Sequence, residues 1–202
     1  MKRTILLLAL AVGTMFAVGC GSGDDVGLPP TPNPNVQRKL NLSHKTDVLN
    51  NIEYSYNKKD ASTYQELLDP NFTFFYSDGG PTSVQWGFQD EIKTTSGVFG
   101  AALSISMDLQ WEDGVTWTEQ VSGSESWFTT TVYYHFTIKI GDTTYIPNQG
   151  SRAQFTVRNA GTDEKPKWEL VEFRDLGAST LVSATSRATE PSSWGKVKSL
   201  YR

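Results

Sequence analysis

Residues 102–111 read ALSISMDLQW and residues 129–140 read TTTVYYHFTIKI. In the first stretch Leu103, Ile105, Met107, Leu109 and Trp111 alternate with Ser104, Ser106, Asp108 and Gln110. In the second, Val132, Tyr134, Phe136, Ile138 and Ile140 share one parity, and Tyr133, His135, Thr137 and Lys139 take the other. A period of two sends successive side chains to opposite faces, so each stretch predicts a strand with one dry side. Between them Glu112-Asp113-Gly114 and Ser122-Gly123-Ser124 read as turns, flanking a segment with Val115, Trp117, Glu119 and Val121 on one parity. Beyond Gly141-Asp142, Ala153, Phe155 and Val157 point inward on a strand over residues 152–158. A polar loop at 161–166 leads to a last strand over 167–175.

Upstream the period lengthens to that of a helix. Ser43 stands as a cap, Asp47 favours the positive dipole end, and Val48, Leu49, Ile52 and Tyr56 form one stripe closed by Lys58 and Lys59. Asp60 caps a second, short helix carrying Tyr64, Leu67 and Leu68, which Asp69-Pro70 stops. Residues 71–76 form an aromatic strand, 77–81 a turn cluster, and 87–99 a third helix with Phe88, Ile92 and Phe99 as its apolar contacts. A sheet with one apolar face needs a cover, and the helices at the start of the body are the available one. The expectation is an α+β domain over residues 37–177, its N-terminal helices packed on one face of a curved antiparallel sheet, with an apolar hollow between the two.

The chain opens MKRTILLLALAVGTMFAVGC. Lys2 and Arg3 precede an apolar run from Ile5 to Val18, the layout of an export signal. That run spans roughly 21 Å as a helix, short of the ~30 Å hydrocarbon core. Residues 17–20, AVGC, resemble a bacterial lipobox, with Ala17 where Leu is usual. The resemblance implies a signal peptide over 1–19 and lipidation of Cys20, which also accounts for an unpaired thiol in an exported chain. Each buried CH₂ of a lipid contributes about 0.8 kcal/mol. Residues 21–36, with four prolines and three glycines, read as a tether. The expected location is the bacterial cell envelope, facing the periplasm. Gly21 favours the outer membrane over retention at the inner one.

Composition excludes several classes. One cysteine makes no internal disulfide, and two distant histidines leave no metal-ligating set. Loss of Lys2 and Arg3 leaves 16 basic residues against 22 acidic ones, so a nucleic-acid partner is not expected. No phosphate loop, nucleophile elbow or HExxH is present, and no cofactor is implied. The sequons at Asn41 and Asn71 carry no expectation in an exported bacterial chain.

The run YNKKDASTYQELLDPNFTFFYSDG (56–79), the pair Trp86-Gly87 and the closing KWELVEFRDL (167–176) resemble the NTF2-like superfamily. That superfamily includes SnoaL-like polyketide cyclases, ketosteroid isomerase and scytalone dehydratase. The resemblance spans residues 43–177 and implies a cone in which helices and a bent sheet enclose a pocket, with a homodimer formed through the sheet. Tyr54 or Tyr56 stands where the isomerases carry a tyrosine. Their aspartates, and the His–Asp pair of the dehydratases, have no clear counterpart.

The catalytic candidates are therefore Tyr56 and Glu119. Glu119 follows Val115 and Trp117 on one parity, and burial there would suit proton transfer; a solvated edge carboxylate is the preferred reading. His135 lies on the parity opposite the apolar set, and His44 at a helix start. Phe74, Tyr76, Trp111, Trp117, Tyr134 and Phe155 are candidates to line a ligand pocket, against a default of plain packing. Residues 178–202 form an irregular segment and then a short helix, capped by Ser192-Ser193, with Trp194, Val197, Leu200 and Tyr201 on one side. That helix packs on the domain or covers a pocket or sheet face; the alternative is a detachable partner-binding peptide. The functional expectation is a non-catalytic, lipid-anchored domain that binds a small apolar ligand or a protein. The alternative is an isomerase, cyclase or dehydratase using a pocket tyrosine and a carboxylate.

Overall fold

A computed structural model describes residues 36–77, 83–111, 114–146, 150–178 and 193–202. The export signal, Cys20 and most of the tether lie outside the described residues. Helix α1 (Lys45–Lys58) starts at His44, whose backbone N–H donates to Asp47 (2.8 Å). Ser43 is thus displaced from the cap: its hydroxyl makes a longer bond to the same carboxylate (3.4 Å). Lys59 ends α1 in a left-handed conformation (φ 54°), and Asp60 caps α2 (Ala61–Leu67) by accepting from the Thr63 N–H. The stripe Val48, Leu49, Ile52 and Tyr56 is fully buried.

Strand β1 (Leu68–Ser77) follows α2 directly, and β2 (Ser83–Gly87) folds back on it. Helix α3 (Phe88–Ala101) leads into β3 (Ala102–Gln110). Then come β4 (Thr118–Ser122), the long β5 (Glu125–Ile140), β6 (Thr143–Tyr145), β7 (Ser151–Asn159), β8 (Trp168–Ala178) and α4 (Trp194–Ser199). The sheet runs β2-β1-β8-β7-β5-β3, with β4 and β6 also on β5. β5 is long enough to serve four neighbours. On one edge β4 pairs its first residues and β3 its last; on the other β7 and then β6 do so. One strand shared this way bends the sheet into a half-barrel, and the helices fill its concave side.

Two details of the sheet differ from the sequence expectation. The sheet is mixed rather than wholly antiparallel, because β1 and β8 run parallel. A long crossover makes that possible: β2, α3 and most of the sheet intervene between them. Leu103 is 64% exposed although it shares parity with Ile105. A register shift between Ala102 and Ser104 breaks the alternation, so Ala102 is buried in its stead.

The third helix also turns a different side inward. Its buried stripe is Glu91, Thr94, Thr95, Val98 and Phe99, while Phe88 and Ile92 are only half-buried. The expected hollow is occupied: α4 lies inside the cone, with Trp194, Gly195, Val197 and Lys198 all buried. Leu200, predicted to share the packed side, is exposed.

Candidate functional site

The interior of the cone is built around Trp194, which is fully buried. Its ring meets Phe173 (centroids 4.5 Å), Tyr56 (4.7 Å), Tyr134 (5.6 Å) and Phe136 (6.0 Å), three of them edge-on. Edge-to-face pairs contribute about 0.5–1.5 kcal/mol each beyond burial. The indole N–H donates to the Tyr56 hydroxyl (2.9 Å). The rest of the wall comes from Phe74, stacked on Trp86 at 4.6 Å, with Tyr76 beside Trp86 and Phe155 beside Phe173.

Within this apolar wall sits a charged pair. Lys198 of α4 is 1% exposed and Glu91 of α3 is not exposed at all, and the two form an ion pair and hydrogen bond. The Lys198 ammonium also lies over Phe74 (4.3 Å to the ring centre), Phe173 (5.1 Å), Trp194 (5.2 Å), Tyr64 (5.5 Å) and Tyr56 (5.6 Å). Glu91 is held independently of α4: it accepts from the Tyr64 hydroxyl (2.6 Å), the Trp86 indole (2.6 Å) and the Thr95 hydroxyl (3.0 Å). A buried carboxylate without such donors would cost several kcal/mol.

Asp175 on β8 makes a second acceptor. It receives the Tyr134 hydroxyl (2.8 Å), the Gly177 N–H (3.1 Å) and, from α4, the Gly195 N–H (2.8 Å). Every polar contact between α4 and these three residues has the same sense. Ammonium, amide and indole donate from α4, and Glu91, Asp175 and Tyr56 accept.

The titrations follow from this geometry. Burial raises the Tyr56 and Tyr64 hydroxyls well above 10.0, with the charge of Glu91 adding to it. Burial likewise raises Tyr134, reinforced by Asp175. Burial lowers Lys198 below 10.5, and the pull of Glu91 opposes that shift.

Of the residues singled out in the sequence, Tyr56, Phe74, Tyr76, Tyr134 and Phe155 lie buried together in the cone. Trp111 and Trp117 are half-buried and pack against the core rather than within it, Trp111 donating to Glu53 (3.4 Å). Glu119 is exposed on β4, a strand exposed along its whole length, and does not meet Tyr56. Its neighbours Thr118 and Gln120 are equally wet, so the parity with Trp117 carries no burial past the start of β4. His135 points away from the interior, toward Gln110 (3.2 Å) and Asp108 (3.8 Å).

Glu91, Lys198 and Asp175 were not among the candidates. A readable signal existed for the first two: Glu91, Thr94, Thr95, Val98 and Phe99 fall at one-face spacing, and Lys198 is four residues after Trp194.

Open grooves lie elsewhere. One of about 670 Å³ runs between residues 39–43, Asn51, Glu66 and the 164–167 loop. Another of about 490 Å³ is bordered by Glu119, Phe128, Arg158 and Trp168. Among the described residues no cluster of three or more His, Cys, Asp or Glu side chains is arranged to hold a metal, and no helix is long and apolar enough to cross a membrane.

No family model matches the sequence, and no curated protein matches it. Solved structures do. A Novosphingobium aromaticivorans protein, provisionally named an aromatic ring hydroxylase, superimposes with a TM-score of 0.50 at 14% identity, over 67% of this chain and 87% of that one. An NTF2-like superfamily protein from Salmonella enterica gives 0.48 at 16% identity, over 70% and 93%. An NTF2-like protein of unknown function in nutrient uptake from Rhodospirillum rubrum gives 0.49 at 13%, over 65% and 96%. Identities this low speak for fold alone. Helices first, a half-barrel of mixed sheet curled around them and a cone-shaped interior between make that fold recognisable: the described residues adopt an NTF2-like fold.

Proposed function

We propose that this chain is an exported, lipid-anchored envelope protein, tied to the membrane through Cys20, whose NTF2-like domain binds its target without transforming it. The target is a small molecule with an apolar body or a protein partner. One observation carries the binding reading: the two carboxylates that meet α4 inside the cone are already committed. Glu91 faces Lys198 and three neutral donors, and Asp175 faces Tyr134 and two backbone amides. A general base needs a free lone pair within reach of the substrate proton. The order of positive start, short apolar run and lipobox-like AVGC supports the anchor.

The test of the anchor is metabolic labelling with an alkyne fatty acid followed by membrane fractionation. Label on the wild-type chain in the membrane fraction, lost in Cys20→Ser, is the expected result; an unlabelled chain overturns the anchor. The test of binding is native mass spectrometry of the chain purified from its source, where a co-purified mass or a stoichiometric partner is expected. The same spectrum reads the homodimer that we place on the outer face of the sheet, where Trp127, Gln154, Glu172 and Arg174 border a shallow groove.

A second reading has its own observation. Tyr64–Glu91 and Tyr134–Asp175 are each a tyrosine against a carboxylate in a dry chamber. With α4 withdrawn they would form the pocket tyrosine and carboxylate of an isomerase, cyclase or dehydratase, in place of Tyr56 and Glu119. Turnover of a ligand by an α4-displaced variant would favour it.

A further inference from the structure

The helix inside the cone is an unusual piece of core. It is six residues long, it brings one tryptophan and one valine, and it buries a lysine. Helices this short have little stability of their own. Burying an ammonium is costly unless a counter-charge waits for it. Here one does wait, and it is fixed by residues of α2, β2 and α3 rather than by α4. The chamber is therefore organised for a cation before α4 enters it. Five aromatic rings lie within 6 Å of the ammonium, four of them belonging to the chamber itself.

The other two contacts narrow the ligand. The Tyr56 hydroxyl and Asp175 accept the indole N–H and a backbone N–H. A neutral apolar molecule would leave Glu91 with only its three neutral donors and no counter-charge, and Asp175 one donor short. An anion would be repelled by them. The ammonium and the indole centre of α4 stand 5.2 Å apart, a separation that a two-carbon link covers.

We propose that the cone of this domain is a binding site for an aromatic primary amine, and that α4 is its tethered occupant, with Lys198 and Trp194 standing in for the ammonium and ring of the ligand. The proposal deepens the binding reading above, rests on it, and names the ligand class. An outside amine must displace α4, so its apparent affinity falls by the fraction of chains in which the chamber is vacant.

Gly195 gives a means of vacating it. A Cβ at this position would overlap the Cβ and ring base of Tyr76, atoms fixed by strand β1. Gly195→Ala thus evicts α4 without altering Glu91, Asp175, Tyr56 or the ring wall. The experiment is calorimetric titration of the full chain with tryptamine, using indole-3-propionate as an anion of similar shape. Gly195→Ala should bind tryptamine at least 10-fold more tightly than wild type. Adding Glu91→Gln to it should remove at least 10-fold of that affinity, and indole-3-propionate should not bind.

Equal affinity of the wild type and Gly195→Ala, or no binding to a folded Gly195→Ala chain, overturns the proposal. Should that variant fail to fold, hydrogen exchange of the wild type decides. Saturating tryptamine must speed exchange of the amides of residues 194–199; unchanged rates overturn it. Tryptamine that is bound and chemically converted leaves the site standing and removes the non-catalytic reading. Tryptamine that is not bound removes the site and leaves the anchored binder to its own test.

Discussion

Two lysines of this domain sit over aromatic rings, and their surroundings could hardly differ more. Lys45, at the start of α1, lies 3.8 Å from the centre of Phe128, 5.2 Å from Trp168 and 5.9 Å from Trp117. Lys198 lies over five rings at 4.3 to 5.6 Å. Lys45 keeps part of its surface in water, and Lys198 has given all of it up. Water solvates an ammonium better than any ring face, so rings alone hold a cation only at the surface. In the interior a carboxylate is required, and Glu91 supplies it. The contrast separates a packing contact from a built site.

The largest effects belong to the interior. Lys198→Met removes the cation and leaves Glu91 buried. It should cost about 3–5 kcal/mol, read from urea denaturation. Glu91→Gln alone should be destabilising for the same reason, while the double variant should recover most of the loss, since an ion pair exchanged as a unit is close to neutral. A double-mutant cycle showing additive losses would mean the pair is not a unit. Trp194→Ala empties the centre of the ring cluster and should also cost about 3–5 kcal/mol. A loss below about 1 kcal/mol would show that α4 adds little to the folded state.

Titration separates the two regions next. The folded chain releases the Lys198 proton below 10.5, earlier than the unfolded chain does. In that interval the unfolded state binds more protons, so stability rises with pH. Tyr56, Tyr64 and Tyr134 shift the other way. Above 10.0 the folded chain holds their protons longer, so stability present below that pH is lost as pH climbs. Tyr201 shifts the same way as these three, so four groups oppose one, and the expected profile is a shallow rise toward pH 10 followed by a steeper fall. Urea midpoints followed from about pH 7 to about pH 11 should show both limbs. Lys198→Met should lose the rise and keep the fall.

How far the sequence foretold this molecule depended on whether polarity and burial agreed. The strands of the late half were legible because Met107, Leu109, Val132, Tyr134, Phe136, Phe155 and Val157 are apolar and buried. The first helix was legible for the same reason. The inward stripe of α3 was not, because it opens with Glu91, Thr94 and Thr95, residue types that usually face water. Lys198 is of a residue type that ordinarily faces water near a helix end. Its burial follows from a partner 107 residues away, which no local window contains. The parallel β1–β8 pair and the shift at Ala102 likewise depend on long-range pairing. Candidate residues inside the cone were found by being aromatic; the acids and the base among them were hidden by being charged.

The smallest expected effect tests the comparison from its other side. Lys45→Ala removes a cation–π contact made in partial contact with water, and such contacts contribute about 0.5–1 kcal/mol. Phe128 and Trp168 would still meet edge-on at 5.3 Å, so the rings lose one neighbour and keep each other. The variant should therefore lose less than about 1 kcal/mol in urea denaturation, and added salt should not change that figure much, since a ring quadrupole is a short-range partner. A loss of about 3 kcal/mol, as large as that expected for Lys198, would mean that the ring faces themselves carry the ammonium. Glu91 would then be incidental to the interior site, and the distinction between the two lysines would reduce to depth.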